Sequence, residues 1–100
     1  MVFEFEFIDN WSSSEKVDQP SIYLESLPDE IAILVLKEIK LIVKDPFNPS
    51  LTHELREPWD GFYGWYPNKQ SKIKDYRIVY MVRKKVQIYR IGHHSVVYRK

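Results

Sequence analysis

SKIKDYRIVYMVRKKVQIYRIGHHSVVYRK, residues 71–100, decides the fold. From Asp75 onward the residues alternate in character and are rich in Tyr, Ile and Val, the signature of a strand lying on a half-buried sheet. The pattern breaks at Arg83-Lys84-Lys85 and resumes from Val86 to Ile91, so the segment reads as two antiparallel strands joined by a basic turn.

Working outward, Gly61-Phe62-Tyr63-Gly64-Trp65-Tyr66 reads as a further strand whose glycines mark a bulge or a close backbone approach. Residues 47–59 carry Pro49 and Pro58 and are expected to be extended or looped, with a turn over Leu51 to Leu55. Pro28-Asp29-Glu30 opens a long helix, because proline is tolerated there and the carboxylates suit the positive end of the helix dipole. Ile31, Leu34, Val35, Glu38, Ile39, Ile42 and Val43 then recur at spacings of three and four, and Asp45-Pro46 ends the run. Pro20 to Leu27 reads as a short helix, and the serine-rich stretch before it as a loop. Phe3 to Ile8 alternates aromatic with acidic residues, which predicts a strand with Phe3, Phe5 and Phe7 on the core side and Glu4 and Glu6 in solvent. The expected fold class is therefore α+β: one domain over residues 1–100, with an antiparallel-rich sheet of about four strands covered on one face by a short and a long helix.

The composition narrows the chemistry. There is no cysteine among the 100 residues, which excludes disulfides and thiolate metal sites. The apolar run of the long helix is interrupted by Lys37, Glu38 and Lys40, and the first residues lack the build of a signal peptide. A soluble cytoplasmic protein is expected. The net charge of +1 hides a division: residues 1–64 hold 5 Lys/Arg against 13 Asp/Glu, and residues 65–100 hold 10 against 1. Either the C-terminal sheet offers a basic face to a polyanion or an acidic partner, or its cations simply face solvent.

The helix closed by Asp45-Pro46, the approach Leu55 to Trp59, the phrase Asp75-Tyr76-Arg77-Ile78-Val79-Tyr80, and the tail Ile91-Gly92-His93-His94 with Tyr98 together resemble the RelE/ParE superfamily of toxins from bacterial toxin-antitoxin modules, over residues 20–100. The resemblance implies a small sheet with helices on one face and an open concave face opposite. It implies an antitoxin partner in a hetero-oligomer. It also implies one of two activities: RelE-like members cut messenger RNA on the ribosome, and ParE-like members inhibit DNA gyrase without cutting.

Metal-free RNA cleavage needs a group to take the 2′-hydroxyl proton, cations to balance the phosphorane, and a donor for the leaving 5′-oxygen. The resemblance places catalysis on Arg77, His94 and Tyr98. Arg77 has the planar fork that grips phosphate oxygens, and His94 stands where RelE-like members commonly have arginine. Lys69, Lys72, Lys74 and Arg90 are expected to meet RNA phosphates, and Trp65 and Tyr66 to stack on bases. No cofactor and no metal is expected, since adjacent His93 and His94 diverge on a strand and His53 is distant in sequence. The leading expectation is a ribosome-dependent mRNA endonuclease; the alternatives are a gyrase inhibitor or an inactive relative that binds an antitoxin.

Overall fold

The computed structural model describes residues 4–99. Its elements run β1 (Phe5–Phe7), a 3-10 turn (Lys16–Asp18), α1 (Pro20–Ser26), α2 (Asp29–Lys44), β2 (Thr52–Glu54), β3 (Tyr63–Trp65), β4 (Tyr76–Val82) and β5 (Val86–His93). The α+β class with two helices on a sheet is as read from the sequence, but the sheet has five strands in the order β1-β5-β4-β3-β2. The strand not anticipated is β2, which occupies the stretch read as a turn. Three residues between prolines carry no usable periodicity, and only their antiparallel pairing with β3, Thr52 to Trp65 and Glu54 to Tyr63, makes them a strand.

The hairpin β4–β5 forms the middle of the sheet, and β1 joins the outer side of β5 in parallel. One face is hydrophobic and covered. Ile78 and Tyr80 of β4, Val86, Ile88 and Ile91 of β5 and Trp65 of β3 meet Val35, Ile39 and Ile42 of α2 in a single buried cluster. The helix turns toward the sheet those side chains that recur every three or four residues, so its stripe and the sheet's alternation select each other. Glu38, the one polar member of that stripe, accepts a hydrogen bond from Trp65 Nε1 at 3.1 Å. Tyr80, also fully buried, donates to Pro46 O at 2.7 Å and pairs with Thr52 Oγ1 at 2.9 Å, tying the end of α2 to the sheet.

At the margins two expectations change. Phe7 packs against the core, but Phe5 is largely exposed, because β1 is an edge strand of only three residues; Phe3 lies outside the described residues. Glu6 accepts a hydrogen bond from Gln87 Nε2 at 3.0 Å, and Glu4 lies 3.9 Å from Lys85.

The opposite face is only half open. Residues 94–99 fold back over it as a strap of turns, beginning with the Val96 and Val97 amides on His93 O, both at 3.0 Å. Two glycines make the close approach possible. A Cβ on Gly92 would stand 2.8 Å from Val17 and 3.7 Å from Val97, and one on Gly64 would stand 2.7 Å from Tyr98 Oη. Real Cβ atoms do not come that close, so glycine is what admits the strap and the 3-10 turn to this face.

Candidate functional site

The uncovered half of that face is a cleft of about 590 Å³ lined by Ser50, Leu51 and His53 of the β2 approach, by Tyr66 to Gln70, and by Lys74 and Arg77. Strand geometry explains its membership. On β4 the residues flanking Arg77 turn toward the helices, so Arg77 projects to the other side. His53 pairs with Gly64, and Gly64 pairs in turn with Val79, which brings His53 to the same side as Arg77.

Tyr66 is the centre of the arrangement. The Arg77 guanidinium carbon lies 4.0 Å from its ring centroid, and the His53 imidazole centroid lies 3.8 Å from it. Arg77 is held by one nitrogen only, Nη1, which donates to Lys74 O and Tyr76 O, both at 2.7 Å. Its Nε and Nη2 have no protein acceptor among the described residues, and no carboxylate pairs with it. The cleft thus holds a fixed cation already oriented by backbone carbonyls and an aromatic ring, with an imidazole beside it and two lysines on the rim. That combination suits a multiply charged anion.

The residues singled out in the sequence divide into three groups. Arg77, Tyr66, Lys69 and Lys74 line the cleft together. Lys72 turns away and makes a 3.0 Å ion pair with Glu30 at the start of α2, and His94 stacks its ring on His93 at 4.4 Å, outside the cleft lining. Three others require correction. Trp65, 1% exposed, faces α2 and offers no ring to a base; as neighbours on a strand, Trp65 and Tyr66 cannot both face the cleft. Arg90, 7% exposed, is locked to the Asp18 carboxylate and to the carbonyls of Val97 and Arg99 beneath the strap. Tyr98 has its hydroxyl buried against Gly64 with no well-aligned hydrogen-bond partner among the described residues. Burial, and next to it the Tyr66 phenol, push the Tyr98 hydroxyl far above the usual phenol range, and Arg77 only partly opposes them. Such a group stays protonated at neutral pH and cannot serve as a base.

His53 is the titratable cleft residue that local sequence does not point to. Its signal was the pairing of a three-residue strand with a glycine in the next strand, which no local pattern encodes.

Comparison with known proteins now bears on this geometry. The family model described as the ParE toxin of the type II toxin-antitoxin system, parDE, matches residues 23–98. The chain belongs to the ParE toxin family, within the RelE/ParE superfamily. A chain of the toxin-antitoxin complex RelBE2 from Mycobacterium tuberculosis has the same fold, with a TM-score of 0.67 and 18% identity over 92% of this chain and 91% of that one. A conserved hypothetical protein of Helicobacter pylori follows at a TM-score of 0.52 and 23% identity, over 93% and 96% of the two chains. No curated protein sequence matches. Within this ParE-family chain the match covers α2, the whole of β2 to β5 and the strap up to Tyr98, so it includes every residue of the cleft.

Proposed function

We propose that this toxin acts by metal-free cleavage of single-stranded RNA in the cleft, with messenger RNA on the ribosome as its target. The observation that carries the reading is the joint packing of His53 and Arg77 on the Tyr66 ring, in a solvent-open cleft rimmed by Lys69 and Lys74. In this scheme a His53 ring nitrogen takes the proton of the 2′-hydroxyl as that oxygen attacks the adjacent phosphorus. Arg77, through Nε and Nη2, and the lysines balance the added negative charge of the phosphorane. A protonated rim lysine returns a proton to the departing 5′-oxygen, leaving a 2′,3′-cyclic phosphate. Cleavage of a reporter message followed by primer extension tests the scheme. The expected result is discrete cuts that fall at least ~100-fold in Arg77→Ala and His53→Ala, in line with the usual worth of a charge-stabilising or proton-transfer group. Uncut message at toxin levels that stop growth would reject it.

A second reading has one finding in its favour: the family model that matches is that of ParE toxins. Under it the chain binds and inhibits DNA gyrase, and the cleft cations contact a protein or DNA. Blocked gyrase supercoiling with intact message is the outcome that selects it. Under either reading the expected neutralising partner is a cognate antitoxin with an acidic segment that occupies the cleft cations.

A further inference from the structure

Beyond the cleft, the same face of the sheet carries a second group of cations that the cleavage scheme does not use. Residues 77, 79, 81 and 83 alternate along β4 and its end, so Arg83 lies on the same face as Arg77, about 20 Å away at the usual strand rise, with the fully buried Val79 and the strap between them, over which a bound strand must pass. The turn Arg83-Lys84-Lys85 is exposed and poorly neutralised. Arg83 Nε donates only to the Met81 sulfur at 3.3 Å, Lys85 has Glu4 no closer than 3.9 Å, and Lys84 has no acceptor among the described residues. These side chains border a hollow of about 500 Å³ shared with Glu6 and Gln87, which also lie on the open side.

Between the two basic ends stand aromatic rings. A bulge after Ile88 turns both Tyr89 and Arg90 to the open side, and Tyr89 meets Phe62 at 4.9 Å between centroids, edge to face. Phe62 in turn meets Trp59 at 5.6 Å. The rings of Phe62 and Tyr89 are half-buried, each keeping part of its surface in solvent. Cations at both ends with rings between them match the needs of an extended single strand, whose phosphates seek charge and whose bases seek flat apolar surfaces. Aromatic rings also serve protein interfaces, so an acidic polypeptide is the competing occupant that the test must separate.

We propose that the open face holds single-stranded RNA at two points, the cleft and the Arg83-Lys84-Lys85 turn, with intervening bases resting on Phe62 and Tyr89. The proposal rests on the RNA reading of the cleft and sets its substrate class: strands long enough to span both points, rather than dinucleotide-sized fragments. Fluorescence anisotropy with 2′-O-methyl RNA, which cannot be cut, measures this binding apart from cleavage. The 12-nucleotide strand is expected to bind at least ~10-fold tighter than the 4-nucleotide strand. Substituting Arg83→Ala, Lys84→Ala and Lys85→Ala together removes that advantage, and the slope of log affinity against log salt shrinks by about 2, from about 0.7 per single-strand phosphate contact. Phe62→Leu is expected to weaken the 12-mer several-fold with the slope unchanged. The 4-mer should be insensitive to all these changes and sensitive to Arg77→Ala. Equal affinity for the two lengths, or a turn variant with unaltered affinity and slope, would overturn the two-point site. So would polyglutamate of matched charge competing as well as the 12-mer, which would assign the turn to an acidic polypeptide. If cleavage fails but the 12-mer still binds through the turn, the scheme for the cleft falls and the two-point site stands.

Discussion

Arg77 and Arg90 lie on neighbouring strands, turned to the same face of the sheet, and each rests on an aromatic ring and donates to two backbone carbonyls. Arg77 stacks on Tyr66 and Arg90 on Trp59, at 4.0 and 4.6 Å. They differ in one countercharge and one cover. Asp18 reaches Arg90 from the 3-10 turn, with its second oxygen accepting from Ser13 Oγ at 2.7 Å, and the strap closes over the pair. Among the described residues no carboxylate reaches Arg77. A guanidinium with its carboxylate supplied in the fold is a cross-link, and one without it is a site for a charge from outside.

Removing each arginine in turn tests whether the countercharge makes the difference. Arg90→Ala leaves the half-buried Asp18 with a single hydroxyl partner and frees the carbonyls of the strap, a loss of up to about 3–5 kcal/mol of stability by the usual cost of opening a buried pair. Arg77→Ala should cost less than about 1.5 kcal/mol, because its carbonyl partners remain near water. Urea unfolding of both variants checks the contrast, and equal losses would mean that the two arginines are alike in role. Activity should follow the opposite order.

The next test concerns the boundary between the open and covered halves. Gly64→Ala places a methyl 2.7 Å from Tyr98 Oη and 3.2 Å from Leu55, so the strap must shift; the cost expected for such overpacking is about 1–3 kcal/mol. Hydrogen exchange should quicken at residues 96–99 more than in β4. Uniform quickening would place the strap in the same cooperative unit as the sheet.

What the sequence revealed follows the same division. The hairpin and α2 were legible because their burial is periodic over seven or more residues, and each period has its partner in the other. The role of Arg90 was not legible: its carboxylate lies in another part of the chain, and the only local hint, a basic strand near a tyrosine, is shared with Arg77. His53 was hidden for a similar reason. A three-residue strand has its register set by its neighbour, and His53 became a member of the cleft only through Gly64. Trp65 is a different case, because adjacent residues of an extended chain point to opposite faces, which already forbids Trp65 and Tyr66 from sharing one.

A smaller effect separates the helix side from the open side. Tyr80→Phe deletes the hydroxyl bonded to Pro46 and Thr52 and should cost about 1 kcal/mol near neutral pH. Burial, the largest cause, raises the Tyr80 hydroxyl well above its ordinary 10.0 despite the opposing bond from Thr52. The folded chain therefore keeps a proton that the unfolded chain releases above about pH 10. Stability is complete below that pH and falls as pH rises through the window, more steeply in the wild type than in Tyr80→Phe. Parallel declines measured from pH 8 to 11.5 would dismiss Tyr80 as the source.

The smallest expected change is the most informative about the cleft. The Tyr98 hydroxyl is buried with no well-aligned hydrogen-bond partner among the described residues and only the Tyr66 phenol beside it, so Tyr98→Phe removes a polar group that has lost water and gained little in return. Such a deletion is near neutral or slightly stabilising, within about 0.5 kcal/mol. If the ring serves as a wedge against Gly64 and a neighbour for Tyr66, cleavage should also stay within about 2-fold of the wild type, because the ring is retained. If the hydroxyl instead moves a proton to the leaving oxygen, the rate falls by ~100-fold with stability untouched. The two measurements on one variant thus decide whether the strap merely roofs the face or reaches into the chemistry. The second outcome would extend the cleft past Arg77 to include the covered half.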